Sequence, residues 1–131
     1  MIPRYRAWDS WRKRMSVVDR IYIDTEGVRL YDDFGEYWRD FRDVKLMQST
    51  GIKDKNGKEI FEGDILTNGI DIVDVRNHET LGFYTLVNGR EVFFGHGTNI
   101  EEFEEDIEGF TEIAEVLGNI YENPELLEEK E

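Results

Sequence analysis

Side chains able to do acid–base or nucleophilic chemistry are scarce in this chain. His78 and His96 are its two histidines, and it contains no Cys. A histidine titrates near neutral pH without help, so a pair that met could act as acid and base, or share a metal with a carboxylate. A catalytic metal generally needs three placed protein ligands, however. His78-Glu79 falls at an expected turn, and His96 lies in the Gly-flanked run Gly95-His96-Gly97. Solvated loop residues are the plainer reading of both. The absence of Cys removes disulfides, thiol redox chemistry and thiolate metal sites. No nucleophile-elbow motif occurs. Carboxylate pairs abound (Asp32-Asp33, Glu101-Glu102, Glu104-Glu105-Asp106), but the chain has 30 acids, so adjacency says little. A glycosidase seats its two acids in a cleft, and no long insertion here would build one. We expect no enzyme, no catalytic residue, no metal and no cofactor; a His-dependent hydrolase is the enzyme reading that would compete.

Two further stretches could bind a ligand. In residues 46–69, "LMQSTGIKDKNGKEIFEGDILTNG", the lysines Lys53, Lys55 and Lys58 stand among glycines and suggest a phosphate loop. Such a loop needs a Gly-x-x-x-x-Gly-Lys-Ser/Thr run between a strand and a helix. Here Gly63 leads instead to Asp64, whose charge would repel phosphate, and to an apolar strand. The other stretch is the N-terminus, where Arg4, Arg6, Trp8, Trp11, Arg12 and Arg14 interleave bases with aromatic rings, Lys13 among them. That alternation suits single-stranded nucleic acid. It equally suits a protein interface with rings at its centre and arginines at its rim. The net charge of −14 argues against a polyanion and against an anionic membrane. Charge is also uneven along the chain. Residues 1–20 carry six Arg/Lys against two Asp, and residues 101–131 carry thirteen acids against Lys130. The two ends could pair within the chain or between subunits.

The elements that would position these residues read mainly as strands. "VVDRIYIDTEGVRLYD" contains two β-rich runs around the turn Asp24-Thr25-Glu26-Gly27, with Val28 and Leu30 sharing a face. Residues 32–43 place Tyr37, Trp38 and Phe41 at helical spacing, yet Gly35 and the rings weaken a helix, so irregular structure with one helical turn is expected. "VKLMQ" follows as a strand. Asn56-Gly57 and Asn68-Gly69 mark turns, since both residue types tolerate positive φ. Asn88-Gly89 makes the clearest hairpin, pairing Val87 with Arg90, Thr85 with Val92 and Phe83 with Phe94. Its inward face would be Phe83, Thr85, Val87, Val92 and Phe94. A capped helix is expected over 99–106, a last strand in "TEIAEVLGNIY", and a short helix over 124–129 that starts with Asn123 as cap and Pro124 at its first position.

Three segments together, "RYRAWD", "LMQSTGIKDKNGKEIFEGDIL" and "VLGNIYENPELLEE", resemble the YopX family, small proteins of phages and prophages. They span nearly the whole chain in the family's order, with mild departures at Ser49, Ile52 and Leu117. The resemblance implies a mainly-β fold: an N-terminal β-subdomain over 1–55 and a Src-homology-3-like barrel with short helices over 56–131. It supplies no catalytic residues, because the family's function is unknown. Joined to the composition, it leads us to expect a non-enzymatic protein–protein interaction module in the cytoplasm of a bacterial host. We expect a homo-oligomer, with Arg4, Arg6, Trp8, Trp11, Arg12 and Arg14 as its candidate surface and no membrane association. A nucleic-acid-associated phage protein is the alternative.

Overall fold

The computed structural model describes residues 4–87, 89–93 and 114–128. Nearly every regular element among them is a strand, so the fold is mainly β. The strands are β1 (Tyr5–Asp9), β2 (Arg14–Tyr22), β3 (Gly27–Asp32), β4 (Gly35–Asp40), β5 (Val44–Lys53), β6 (Glu59–Phe61), β7 (Asp64–Thr67), β8 (Ile72–Asp74), β9 (Arg76–His78), β10 (Gly82–Val87), β11 (Arg90–Phe93) and β12 (Glu115–Asn119). A 3-10 turn spans Phe41–Asp43, and one α-turn, α1, spans Glu125–Glu128. The chain forms two compact units, Met1–Ser49 and Thr50–Glu131. No described helix is long and apolar enough to cross a membrane.

The first unit is an antiparallel sheet in the order β4-β3-β2-β1-β5. Alternation along each strand sorts its side chains between two faces. Ala7, Val28, Leu30 and Val44 are buried together, with Val18, Tyr37, Phe41 and Leu46 packed against them. Val28 and Leu30 share this face, as their spacing predicts. Residues 32–43 correct the sequence reading. Most of the stretch is β4, and its helical turn is the 3-10 segment that follows. The rings at 37 and 38 point to opposite faces, since Tyr37 stands across from buried Leu30 and Trp38 across from Arg29. Gly35, at φ 121°, makes the tight return from β3 that the helical spacing concealed.

In the second unit β5 continues beyond Ser49 and β6 pairs with it. The remaining strands form two three-stranded sheets, β12-β7-β8 and β11-β10-β9. Ile60, Leu66, Val73 and Val75 make the core, with Ile52, Phe83, Val92 and Val116 against it. The β10–β11 register is the expected one: Val87 opposes Arg90 and Thr85 opposes Val92. Phe83, Val92 and fully buried Thr85 lie on the inward face, as predicted. The opposite face also buries a residue, Phe93, whose ring packs on Tyr84 at 5.2 Å. The last strand and the terminal turn of helix fall where expected, as β12 and α1. The helix expected over 99–106 lies outside the described residues, as do Phe94 and His96. Among the described residues the sheets are open, and their ladders do not close into a barrel.

Candidate interaction surface

The six candidate residues do not form one patch. On β1, Arg6 and Trp8 point to one face and Ala7 and Asp9 to the other, by strand alternation. Arg6 stands across from Val17 and Met47, and Trp8 across from Met15 and Lys45. Arg4 precedes β1, and its carbonyl accepts a bond from Ser49 N–H at 2.7 Å. Trp11 and Arg12 sit in the turn between β1 and β2, and Arg14 opens β2 opposite Asp9. Arg12 and Arg14 therefore lie at the Ala7 and Asp9 side, away from Arg6 and Trp8.

The turn is built on Asp9, a carboxylate with no solvent exposure. Its Oδ1 accepts the backbone N–H of Trp11 at 2.9 Å and of Arg12 at 3.3 Å. Arg39 Nε approaches the same carboxylate at 3.3 Å. Burial pushes the Asp9 carboxyl up, but the N–H groups of Trp11 and Arg12, the Tyr37 hydroxyl and the Arg39 charge outweigh it and hold the pKa low. Tyr37 is pushed up chiefly by burial, with the Asp9 charge adding to it; its hydroxyl lies 2.6 Å from Ser16 Oγ. Arg12 lies over the Tyr37 ring at 4.2 Å and Arg39 at 4.8 Å, while Arg14 lies over Phe34 at 4.7 Å. Arg12 also pairs with Asp32 at 3.2 Å, and Arg14 with the same oxygen at 3.7 Å. Part of the basic N-terminus, Arg12 and Arg14, is thus neutralised locally by Asp32 of its own unit.

What stays open beside this network is aromatic. Trp11 is 73 % exposed and Phe34 75 %. Trp11 and Trp38 line a pocket of about 250 Å³ together with Arg39, Asp40 and Asp43. A neighbouring pocket of about 460 Å³ lies among Thr25, Glu26, Asp40, Phe41 and Arg42, so the two share Asp40. Sequence reasoning missed Trp38, Asp40 and Asp43. The available signal was the interleaving of rings and acids in "EYWRDFRD", obscured by treating it as irregular chain.

The Gly- and Asp-rich central stretch serves the backbone. Asp54 Oδ1 accepts the N–H of Asn56 at 2.9 Å and of Lys58 at 2.8 Å, closing the turn in which Gly57 adopts φ 81°. Its Oδ2 accepts Val116 N–H at 2.9 Å, tying β12 to that turn. Gly63, at φ 87°, leads into Asp64, whose carboxylate accepts Phe61 N–H at 2.7 Å. The terminal motif is likewise a turn. Asn119 Oδ1 accepts from Tyr121 and Glu122, and Asn123 Oδ1 accepts from Asn119. His78 also acts on the backbone. Its Nδ1 receives the N–H of Thr80 at 3.1 Å and of Leu81 at 3.2 Å, and its ring stands edge-on to Tyr84 and Phe93. An accepting Nδ1 places the ring proton on Nε2. Among the described residues no three His, Asp or Glu side chains gather as a metal site would require.

A family model described as "YopX protein" matches residues 4–128. Among solved structures the chain is similar to the crystal structure of protein EF1440 from Enterococcus faecalis, at 27% identity and a TM-score of 0.62. That alignment covers 97% of this chain and 99% of the other. No curated protein matches the chain.

Proposed function

The chain belongs to the YopX family, and from that premise we propose that it is a non-enzymatic protein–protein interaction module of phage or prophage origin. It works in the cytoplasm of a bacterial host and self-associates. The observation that carries this reading is the exposure of large apolar side chains on the first unit. Trp11 and Phe34 are largely open, and Val17, Tyr31 and Trp38 are between 36% and 45% exposed. Val17 and Tyr31 stand directly opposite each other on adjacent strands, so their surfaces merge. So many large apolar side chains left open on a chain of net charge −14 are better suited to an interface than to solvent. Aromatic residues commonly supply the buried anchors of such contacts.

The second unit reads as a Src-homology-3-like barrel that serves as scaffold. Its support is the run of short antiparallel strands with β12 returning to pair with β7. The nucleic-acid reading draws less support, because Arg12 and Arg14 already share the Asp32 carboxylate. The test is a pull-down from infected or lysogenic cells with the wild-type chain and with Trp8→Ala and Trp11→Ala. Protein capture that falls with the substitutions supports the reading. Recovery of nucleic acid, or capture indifferent to both substitutions, opposes it.

A further inference from the structure

The paired pockets beside Trp11 have a composition that the family resemblance does not explain. One is lined by Trp11, Trp38, Arg39, Asp40 and Asp43, and the other, which shares Asp40, adds Glu26 and Arg42. The cations nearby have other engagements. Arg39 lines the first pocket, but its guanidinium donates to the Trp38 carbonyl at 2.9 Å, meets Asp9 and lies over the Tyr37 ring. Arg42, 83 % exposed, reaches Asp40 at 3.4 Å from the solvent side. Exposed pairs of this kind are weak and exchange readily with a competing cation. Asp40 also accepts Trp38 Nε1–H at 3.2 Å, which ties that indole to one of the pocket's carboxylates. The Asp43 carboxylate forms no ion pair with a described residue, although its backbone carbonyl accepts Ser10 N–H at 3.0 Å.

We propose that the Trp11–Trp38 pocket receives an Arg or Lys side chain from a basic segment of a partner protein, the cation lying against the indoles that line it and meeting Asp43 and Asp40. Indole faces attract cations through their quadrupole, and the Asp40 and Asp43 carboxylates among the lining residues add charge complementarity. The size agrees: about 250 Å³ is below the range of about 300–1,000 Å³ usual for small-molecule sites and leaves room for one long side chain. The excess of negative charge on the chain would also steer a basic segment toward it. The inference rests on the reading of the first unit as an interaction surface and names the chemistry of its partner.

The experiment follows the indole N–H signals of the whole chain by NMR. The chain has three Trp, so each signal is assigned by one Trp→Phe variant. The probes are the blocked tripeptide Gly-Arg-Gly, its Gly-Gln-Gly counterpart, and tetramethylammonium. The arginine peptide should shift the Trp11 and Trp38 signals while leaving Trp8 in place, and the glutamine peptide should shift none. Trp11→Ala leaves the net charge unchanged and, at an exposed position, leaves the fold intact. It should weaken peptide binding about threefold or more, read at the Trp38 signal, as should Asp43→Asn. Binding that survives Trp11→Ala, equal shifts at Trp8, no shift at any attainable concentration, or tighter binding of tetramethylammonium than of the peptide would each overturn the proposal. A strict monomer that binds the peptide would sink self-association while sustaining this inference. An oligomer indifferent to the peptide would do the reverse.

Discussion

Removing the Asp54 carboxylate should loosen the second unit, and the size of the effect follows from its bonds. Asp54 is 7 % exposed and accepts three backbone N–H groups at 2.8–2.9 Å. Each bond to a charged acceptor is worth about 1.5–3 kcal/mol when deleted. Asn56 and Lys58 lie in an exposed turn, where water can replace the lost acceptor, whereas Val116 lies on a half-buried strand. Asp54→Ala should therefore cost about 3–4 kcal/mol, a large share of the roughly 5–15 kcal/mol typical of a domain. Asp54→Asn keeps an oxygen for Asn56 and Lys58 but turns an amide N–H toward Val116 N–H, so about half the loss is expected. Burial raises the Asp54 pKa, but the N–H groups of Val116, Lys58 and Asn56 overcome this and leave it lowered from 3.8. A lowered folded pKa means the contribution is complete above the unfolded value and is lost as pH falls through the folded one. The gap between wild type and Asp54→Ala should thus narrow in acid. All three Trp lie in the first unit, so urea unfolding should be followed by circular dichroism, together with hydrogen exchange at the Val116 amide. A loss below about 1 kcal/mol, or unchanged Val116 exchange, would refute the claim that this carboxylate secures β12.

Gly118→Ala should destabilise by about 1–3 kcal/mol, because a Cβ there would stand 2.1 Å from Asn123 Oδ1 and spread the terminal turn; thermal melts check this. Gly89→Val should cost about 1 kcal/mol or more through backbone strain alone, since Gly89 has φ 78° and no neighbour within 4 Å; an unchanged midpoint in denaturant would contradict it. His78→Ala should cost about 1–2 kcal/mol by removing the acceptor for Thr80 and Leu81 and the ring beside Tyr84 and Phe93. That variant should retain partner binding, and its loss without unfolding would point instead to a site at His78.

The β10–β11 hairpin was legible because Asn-Gly chemistry fixes both turn and register locally, and alternation then assigns Phe83, Thr85 and Val92 to the core. The turns at Gly57 and Gly69 were legible for the same reason. The strand β4 was not, since its rings at 37 and 38, with Phe41 of the 3-10 turn that follows, mimic helical spacing, and Tyr37 and Trp38 are sorted to opposite faces only by pairing with β3. The candidate surface was half legible. Composition marked the N-terminal arginines and tryptophans, but the turn at Asp9 sends Arg12 and Arg14 to a different side from Arg6 and Trp8. The partners Asp32, Arg39 and Tyr37 come from elsewhere in the sheet, and no local pattern links them to the N-terminus.

Light scattering across protein concentration and salt tests the central claim most directly, with wild type compared with Trp8→Ala and Trp11→Ala. The account predicts self-association that falls with either substitution and responds less to added salt, because the contact centres on rings while exposed ion pairs are screened. A strictly monomeric chain at every concentration would contradict self-association, and tight salt-sensitive binding to DNA or RNA would contradict the protein-interaction reading as a whole.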